Sequence, residues 1–172
     1  ATATPLDPTM LHTVAITIAS PNLIGFDQDQ TLRVPCDVAF DGALLANSAC
    51  RKKGGSGSYQ SVSGKPSFSI KLDEYVPGQK LGGLDKIILD NAVSDPTLMN
   101  EHLAYEVFRR AGIPAHRTSF AEVSLNGEAK GIYVVVEPVD REFLRDRFGV
   151  GGDTGNLYES SGEYFHAPLI ER

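Results

Sequence analysis

The stretch from Glu101 to Asp140 constrains the fold more than any other part of the chain, because it spells a helix, a hairpin and the start of a second helix in succession. Asn126-Gly127 separates two apolar, β-branched runs, Arg117 to Leu125 and Lys130 to Glu137. Both central residues of the tightest hairpin turn need positive φ, which Asn and Gly tolerate best, so the two runs are predicted to pair. Val123, Leu125, Ile132, Val134 and Val136 are the expected core residues of that pair. Upstream, the sequence predicts a helix over 96–111: Asp95 can cap it, Pro96 suits its first position, and Gly112 followed by Pro114 stops it. On a helical projection Met99, Leu103, Ala104, Val107, Phe108 and Ala111 form one broad apolar face, so the helix is expected to pack on a sheet. Asp140 caps a second, short amphipathic helix that runs to Phe148.

Further strands precede this region. His12 to Ile18 is an apolar run bounded by Pro8 and by Ser20-Pro21-Asn22. Arg33 to Phe40 carries Pro35, which marks an edge strand or a bulge. Pro66 to Asp73 alternates, with Phe68, Ile70 and Leu72 on one face and Ser67, Ser69, Lys71 and Asp73 on the other. Lys86 to Leu89 is a fourth, followed by turn residues from Asp90 to Ser94. Between the second and third lies a segment from Arg51 to Gly64 too rich in Gly and Ser for an ordinary strand. The sum is an α+β fold, an antiparallel sheet with one long helix packed on it.

Composition excludes several classes. The 172 residues suffice for one domain, or for one lobe of a larger domain with the start of the next. No apolar run approaches the roughly 18 residues of a membrane span. A net charge of −6 argues against a general nucleic-acid surface, since the only dense basic run is Arg51-Lys52-Lys53. The chain opens at Ala1 without Met or an apolar signal core, so any export signal is expected to have been removed. Cys36 and Cys50 flank a turn at Asp41-Gly42. A five-residue turn centred on Ala43 sets them opposite each other for a disulfide, whereas a tight two-residue turn sets Cys36 against Asn47 and requires a bulge. The alternative is two buried thiols, and two cysteines alone build no metal site.

The order of parts also carries a resemblance. Leu11 to Thr17, Phe40-Asp-Gly42, the basic glycine segment, Lys65-Pro-Ser-Phe-Ser-Ile-Lys-Leu-Asp73, Asp95-Pro-Thr97, Leu125-Asn-Gly-Glu128, Gly131-Ile-Tyr133, Val136-Glu-Pro-Val-Asp140 and Gly155-Asn-Leu-Tyr158 together resemble the CotH family of atypical protein kinases, named after spore-coat protein H. One departure is Lys53-Gly-Gly-Ser56, where the family more often has Lys-Gly-Asn-Ser. The resemblance implies residues 1–137 as the N-terminal lobe of a kinase-like fold, and 138–172 as the inter-lobe link with the start of an incomplete C-terminal lobe.

It further implies an exported, ATP-dependent enzyme that phosphorylates Ser or Thr on coat or surface proteins at the cell or spore surface. Lys71 is then expected to reach the nucleotide phosphates, Glu101 to pair with it, Ser56 and Gly57 of the glycine-rich loop to lie over the phosphates, and the backbone of Val136, Glu137 and Val139 to meet the adenine. Mg²⁺ ligands and the catalytic aspartate are expected outside the chain, in the remainder of its own polypeptide, which leaves no catalytic residue within it and the chain alone inactive. Each assignment has a plainer competitor. Lys71 also reads as a solvated lysine, Glu106 borders the helix face as Glu101 does, Glu137 also reads as closing the hairpin, and Ser56 and Ser58 also read as loop caps. The four histidines are scattered without ligand spacing, Asp90, Asn91 and Asp95 lack the order of a calcium loop, and Ser119 and Ser124 have no histidine partner nearby. The alternative function is a non-catalytic surface or coat assembly module that keeps the scaffold without the chemistry.

Overall fold

A computed structural model describes residues 4–55, 57–160 and 169–171. The chain divides into two compact units, Ala1–Pro138 and Val139–Arg172. Within the first, β1 (Leu11–Ile18), β2 (Val34–Phe40), β3 (Ala43–Lys53), β4 (Ser67–Lys71), β5 (Lys86–Asp90), β6 (Thr118–Leu125) and β7 (Glu128–Val136) form a closed barrel in the order β1-β2-β3-β4-β5-β7-β6. All neighbours are antiparallel except β1 and β6, which run parallel with Leu11 opposite Phe120 and Ile16 opposite Leu125.

This corrects the expected α+β arrangement of an open sheet, resembling the N-terminal lobe of a kinase, with one long packed helix. Local sequence pattern predicts the hairpins but carries no signal for the parallel pairing that closes the sheet on itself. Three short helices are present among the described residues: α1 (Ser20–Gln28), α2 (Asn100–Arg110) and α3 (Arg141–Phe148). Helix α2 starts five residues after Asp95, not one. The Asp95 carboxylate instead accepts from the Thr97 amide and hydroxyl at 3.0 and 2.6 Å and from the Asn100 amide at 2.7 Å, holding a turn ahead of the helix.

The barrel interior is filled. Val14, Ile16, Val38, Phe40, Phe68, Ile70, Ile87, Leu89, Val123 and Tyr133 belong to one buried cluster. Phe68, Ile70 and Leu72 face inward as their alternation predicts. One end is closed by α1, unanticipated from sequence. Phe26 stacks on Phe68 at 6.3 Å between centroids, and buried Lys52 donates to the Asp27 carboxylate and main-chain carbonyl, both at 2.7 Å.

Single-residue bulges decide which side chains face in. The β2–β3 turn is the tight Asp41-Gly42 form, with Phe40 opposite Ala43 and Val38 opposite Leu45, but Cys36 lies opposite Ser48. The extra residue falls in the Ala46-Asn47 stretch, where Asn47 takes φ 51° and its amide donates to Asp37 at 2.9 Å. That offset turns Ser48, Cys50 and Lys52 inward, where odd-numbered Leu45 had been. Cys36 and Cys50 then meet diagonally, 5.9 Å apart at Cα, and are bridged. Pro35 lies opposite Ala49, just past the last β1 pair at Cys36, so its missing N–H leaves no gap in that ladder.

A second bulge, at Lys130, shifts β7 against β6 between Val123 and Ser124. Val123 and Leu125 reach the core, but it is Tyr133 and Val135 that join them inside. Val134 and Val136 instead form a smaller outer cluster with Ile88, and Ile132 is largely solvent-facing. A one-residue slip moves every later side chain to the opposite face. Asn126 and Gly127 have φ of 50° and 83°, the turn expected.

In the second unit the Asp140 carboxylate caps α3, accepting from Glu142 and Phe143 amides at 3.0 and 3.1 Å. Arg145 pairs with Asp153 at 2.7 Å, tying α3 to the short 3₁₀ turn Gly152–Thr154. Strands β8 (Tyr158–Ser160) and β9 (Leu169–Glu171) pair antiparallel.

Removing the disulfide as Cys36→Ser with Cys50→Ser is expected to lower stability by about 3 kcal/mol, the chain-entropy value for a loop of roughly 15 residues. Urea denaturation of the two proteins measures it; an unchanged midpoint would show that the bulge alone holds the hairpin.

Candidate functional site

Because Cys50, Lys52, Phe68, Ile70, Ile87 and Leu89 point inward, their neighbours compose the outer face of β3, β4 and β5. Register places Lys53 opposite Ser67, Arg51 opposite Ser69 and Ala49 opposite Lys71. Across β4, Ser69 faces Ile88 and Lys71 faces Lys86. Four cations, Arg51, Lys53, Lys71 and Lys86, therefore share one face of an acidic protein. At its centre the Ser69 hydroxyl is buried and has no hydrogen-bond partner. Leaving such a hydroxyl unsatisfied costs roughly 1–3 kcal/mol.

The glycine-rich loop borders this face at the Lys53 end. Gly54 has φ 136°, and a Cβ there would lie 2.9 Å from the Tyr59 backbone, so no other residue lets the loop turn so tightly. The Ser58 hydroxyl accepts from the Gly55 amide at 3.0 Å. Buried Asn91 anchors the return: its side-chain amide donates to the carbonyls of Ser58 at 2.9 Å and Lys65 at 2.7 Å, while its own amide donates to Ser67 Oγ at 2.9 Å. Sequence places Asn91 in a turn after β5 and gives no sign that it ties down a loop more than thirty residues earlier.

Helix α2 brings carboxylate and phenol to the same end, by a route opposite to the one expected. Met99, Leu103, Val107 and Phe108, the predicted packing face, point to solvent at 37%, 52%, 65% and 46% exposure, and no residue of α2 is fully buried. The polar side turns to the barrel instead. His102 bonds Thr118 Oγ1 at 2.7 Å, the Tyr105 ring meets that of His116 at a tilt with centroids 4.5 Å apart, and Arg109 donates to the His116 carbonyl. The adjoining surface offers the Thr118 hydroxyl and the His116 carbonyl, with only a small apolar patch around Ile88, Val134 and Val136, and so selects the side of the helix that can bond to them.

Glu101 consequently sits among Asp90, Lys53 and Tyr105. Burial, reinforced by the Asp90 carboxylate, raises its pKa, against the opposing pull of a Tyr105 hydrogen bond and Lys53. Tyr105 is pushed up to about 12, by burial and then by Glu101. Lys65 is lowered, chiefly by desolvation, with its ammonium 4.9 Å from the Tyr133 ring centroid. Burial, then Asp90, raises the Tyr133 phenol, whose hydroxyl has no hydrogen-bond partner.

Lys71 lies at the other end of β4, four residues from Ser67, or roughly 13 Å at ~3.3 Å per residue. Its ammonium faces Asp73 at 3.6 Å. Lys71, Glu101 and Val136 thus share the outer side of the sheet, but Lys71 and Glu101 are not brought together. Glu106 is taken by Arg109 and Arg110 on its own helix, at 2.6 and 2.7 Å. Glu137 is buried with its carboxylate on Arg117, its amide on the Arg117 carbonyl and its own carbonyl on His116. Gly57 lies in the loop with φ 84° and open space around it. Ser56 lies outside the described residues, and Val139 opens the second unit. Among the described residues no cluster of three or more His, Cys, Asp or Glu is arranged to hold a metal ion.

A carboxyl whose pKa is higher in the folded than the unfolded state holds its proton longer when folded. Stability then falls as pH rises from the ordinary Glu range through the folded value, because the native state binds more protons there. Glu101→Gln is expected to remove that fall, so the stability difference, variant minus wild type, grows from acid to neutral pH. Urea titrations across pH check it; a pH-independent difference would mean that Glu101 is not shielded.

Comparison with known proteins agrees with the resemblance read from sequence. Residues 51–169 match the family model described as CotH kinase protein. The chain is 34% identical over 83 residues to inner spore coat protein H of Bacillus subtilis (strain 168), and 30% identical over 73 residues to an inner spore coat protein H-like protein of the same organism. These matches take in 48% and 42% of this chain and 22% of each relative, so the matched part is a small share of either relative's length. With the family model running through the glycine-rich loop, the cationic face, α2 and the β6–β7 hairpin, the chain belongs to the CotH family.

Proposed function

We propose that the outer face of β3, β4 and β5 binds the phosphates of ATP in a CotH-type protein kinase that phosphorylates Ser or Thr of coat or surface proteins. The observation that carries this reading is the set of four cations around the partnerless Ser69 hydroxyl. Phosphate oxygens fit such a face, since each accepts charge-assisted hydrogen bonds from Arg or Lys. Arg51 and Lys71 are the phosphate contacts. Glu101 holds the Lys53 end of the face, and Gly57 lets the loop backbone approach. ATP supplies the transferable phosphoryl group, with Mg²⁺ neutralising its charge through ligands outside these residues.

The site of action we infer is the spore coat, on the names of the two relatives. The disulfide accords with an oxidising compartment, where such bridges persist. No helix among the described residues is long and apolar enough to cross a membrane.

Titration calorimetry of the full-length protein with Mg-ATP tests the reading. Lys71→Ala and Arg51→Ala are each expected to weaken binding by about tenfold or more, the value of a lost charge-assisted hydrogen bond, with thermal unfolding unchanged. A wild type that binds no Mg-ATP would sink the nucleotide site and leave a coat assembly module. Loss of fold in Lys71→Ala would make that lysine structural.

A further inference from the structure

We propose that the outward face of α2 is a self-association surface, on which two copies of the protein pack their α2 helices antiparallel across a twofold axis. A soluble protein rarely leaves the apolar side of an amphipathic helix bare. Here Leu103, Val107 and Phe108 are 52%, 65% and 46% exposed, and Ile113 just past the helix is 52% exposed. The patch does not stop at the helix. Met99 also lines a groove of about 330 Å³ with Met10, Leu11, Leu98, Phe120 and Ile132. Met10, Leu11 and Ile132 are themselves 50%, 56% and 38% exposed. With large apolar side chains counted at roughly 150–250 Å² each, the helix and groove residues together expose on the order of 700 Å². That is close to the ~800 Å² per partner of a standard-size interface.

Two features select a second copy in the antiparallel sense. Met99, Leu103, Val107 and Ala111 form an i, i+4 ridge, the row that interdigitates with its own kind at a helix crossing. Ala104, small and beside that ridge, allows close approach at the crossing point. Rotation about an axis near Leu103 and Ala104 brings Phe108 of one copy opposite Met99 and the groove of the other. The same contact is made twice, as an isologous interface requires. Charge agrees: Asp95 lies ahead of α2, and Arg110, 80% exposed, ends it. Antiparallel pairing sets each acidic lead beside the other copy's basic end and opposes the two helix dipoles.

Analytical ultracentrifugation of the full-length protein, disulfide intact, tests this. The wild type is expected to sediment as a dimer, and Val107→Asp to weaken dimerisation at least tenfold with unchanged near-ultraviolet circular dichroism. Ala104→Cys is expected to cross-link two chains under mild oxidation in the wild-type background and to lose that cross-link when combined with Arg110→Glu at low salt. A monomeric wild type, or a dimer that Val107→Asp leaves intact, overturns the proposal. Should Val107→Asp fail to fold, absence of the Ala104→Cys cross-link overturns it instead, and the face then belongs to another part of the same polypeptide.

Discussion

Closure of the barrel through the parallel pairing of β1 with β6 is the constraint on which the rest depends. The two strands come from opposite ends of the first unit, and loop closure over such a span must be offset by the contacts it permits. Asn126 secures the join. It forms half of the β6–β7 turn, and its side-chain oxygen and amide also engage the amide and carbonyl of Ile18, at 2.7 and 3.0 Å. A residue selected by its tolerance for positive φ thereby becomes the clasp of the sheet. With the barrel shut and its interior packed by side chains, the outer surface is what the fold presents to other molecules.

What appears on that surface is decided by two offsets of a single residue. Without the extra residue before Ser48, Arg51 and Lys53 would point into the core and Lys52 outward. Burying two unpaired cations in an apolar interior is prohibitive, so the bulge is a condition for folding as much as for the cationic face. Lys52, the one cation sent inward, meets Asp27 and two carbonyls at the barrel mouth and lies 4.3 Å from the Tyr59 ring centroid. The same offset brings Cys50 to Cys36. Cationic face, plugged end and covalent bridge thus share one origin.

Local chemistry was legible in the sequence wherever the structure is local. Asn126-Gly127, the Asp140 cap and the alternation of Phe68, Ile70 and Leu72 were read correctly, since each depends on neighbours along the chain. The disulfide was legible as one of two geometries, and the tight turn with a bulge is the one adopted. The bulge at Lys130 was not legible, and it exchanges Ile132, Val134 and Val136 for Tyr133 and Val135 in the core. Nor was the orientation of α2, because an apolar stripe states that a face wants cover without naming what covers it. The face of Arg51, Lys53, Lys71 and Lys86 was scattered over three segments and emerges only from strand register. Lys71 and Glu101 were expected to pair, whereas Lys71 faces Asp73 and the lysine beside Glu101 is Lys53, an outcome of strand register.

An uninterrupted ring of strands has a further consequence for how this unit meets other proteins. Every strand of the barrel has a hydrogen-bonded neighbour on both sides, so no strand offers a whole free edge along which an extended peptide can add itself. A polypeptide brought against the doubly paired lengths of the barrel is therefore met by side chains rather than by free backbone.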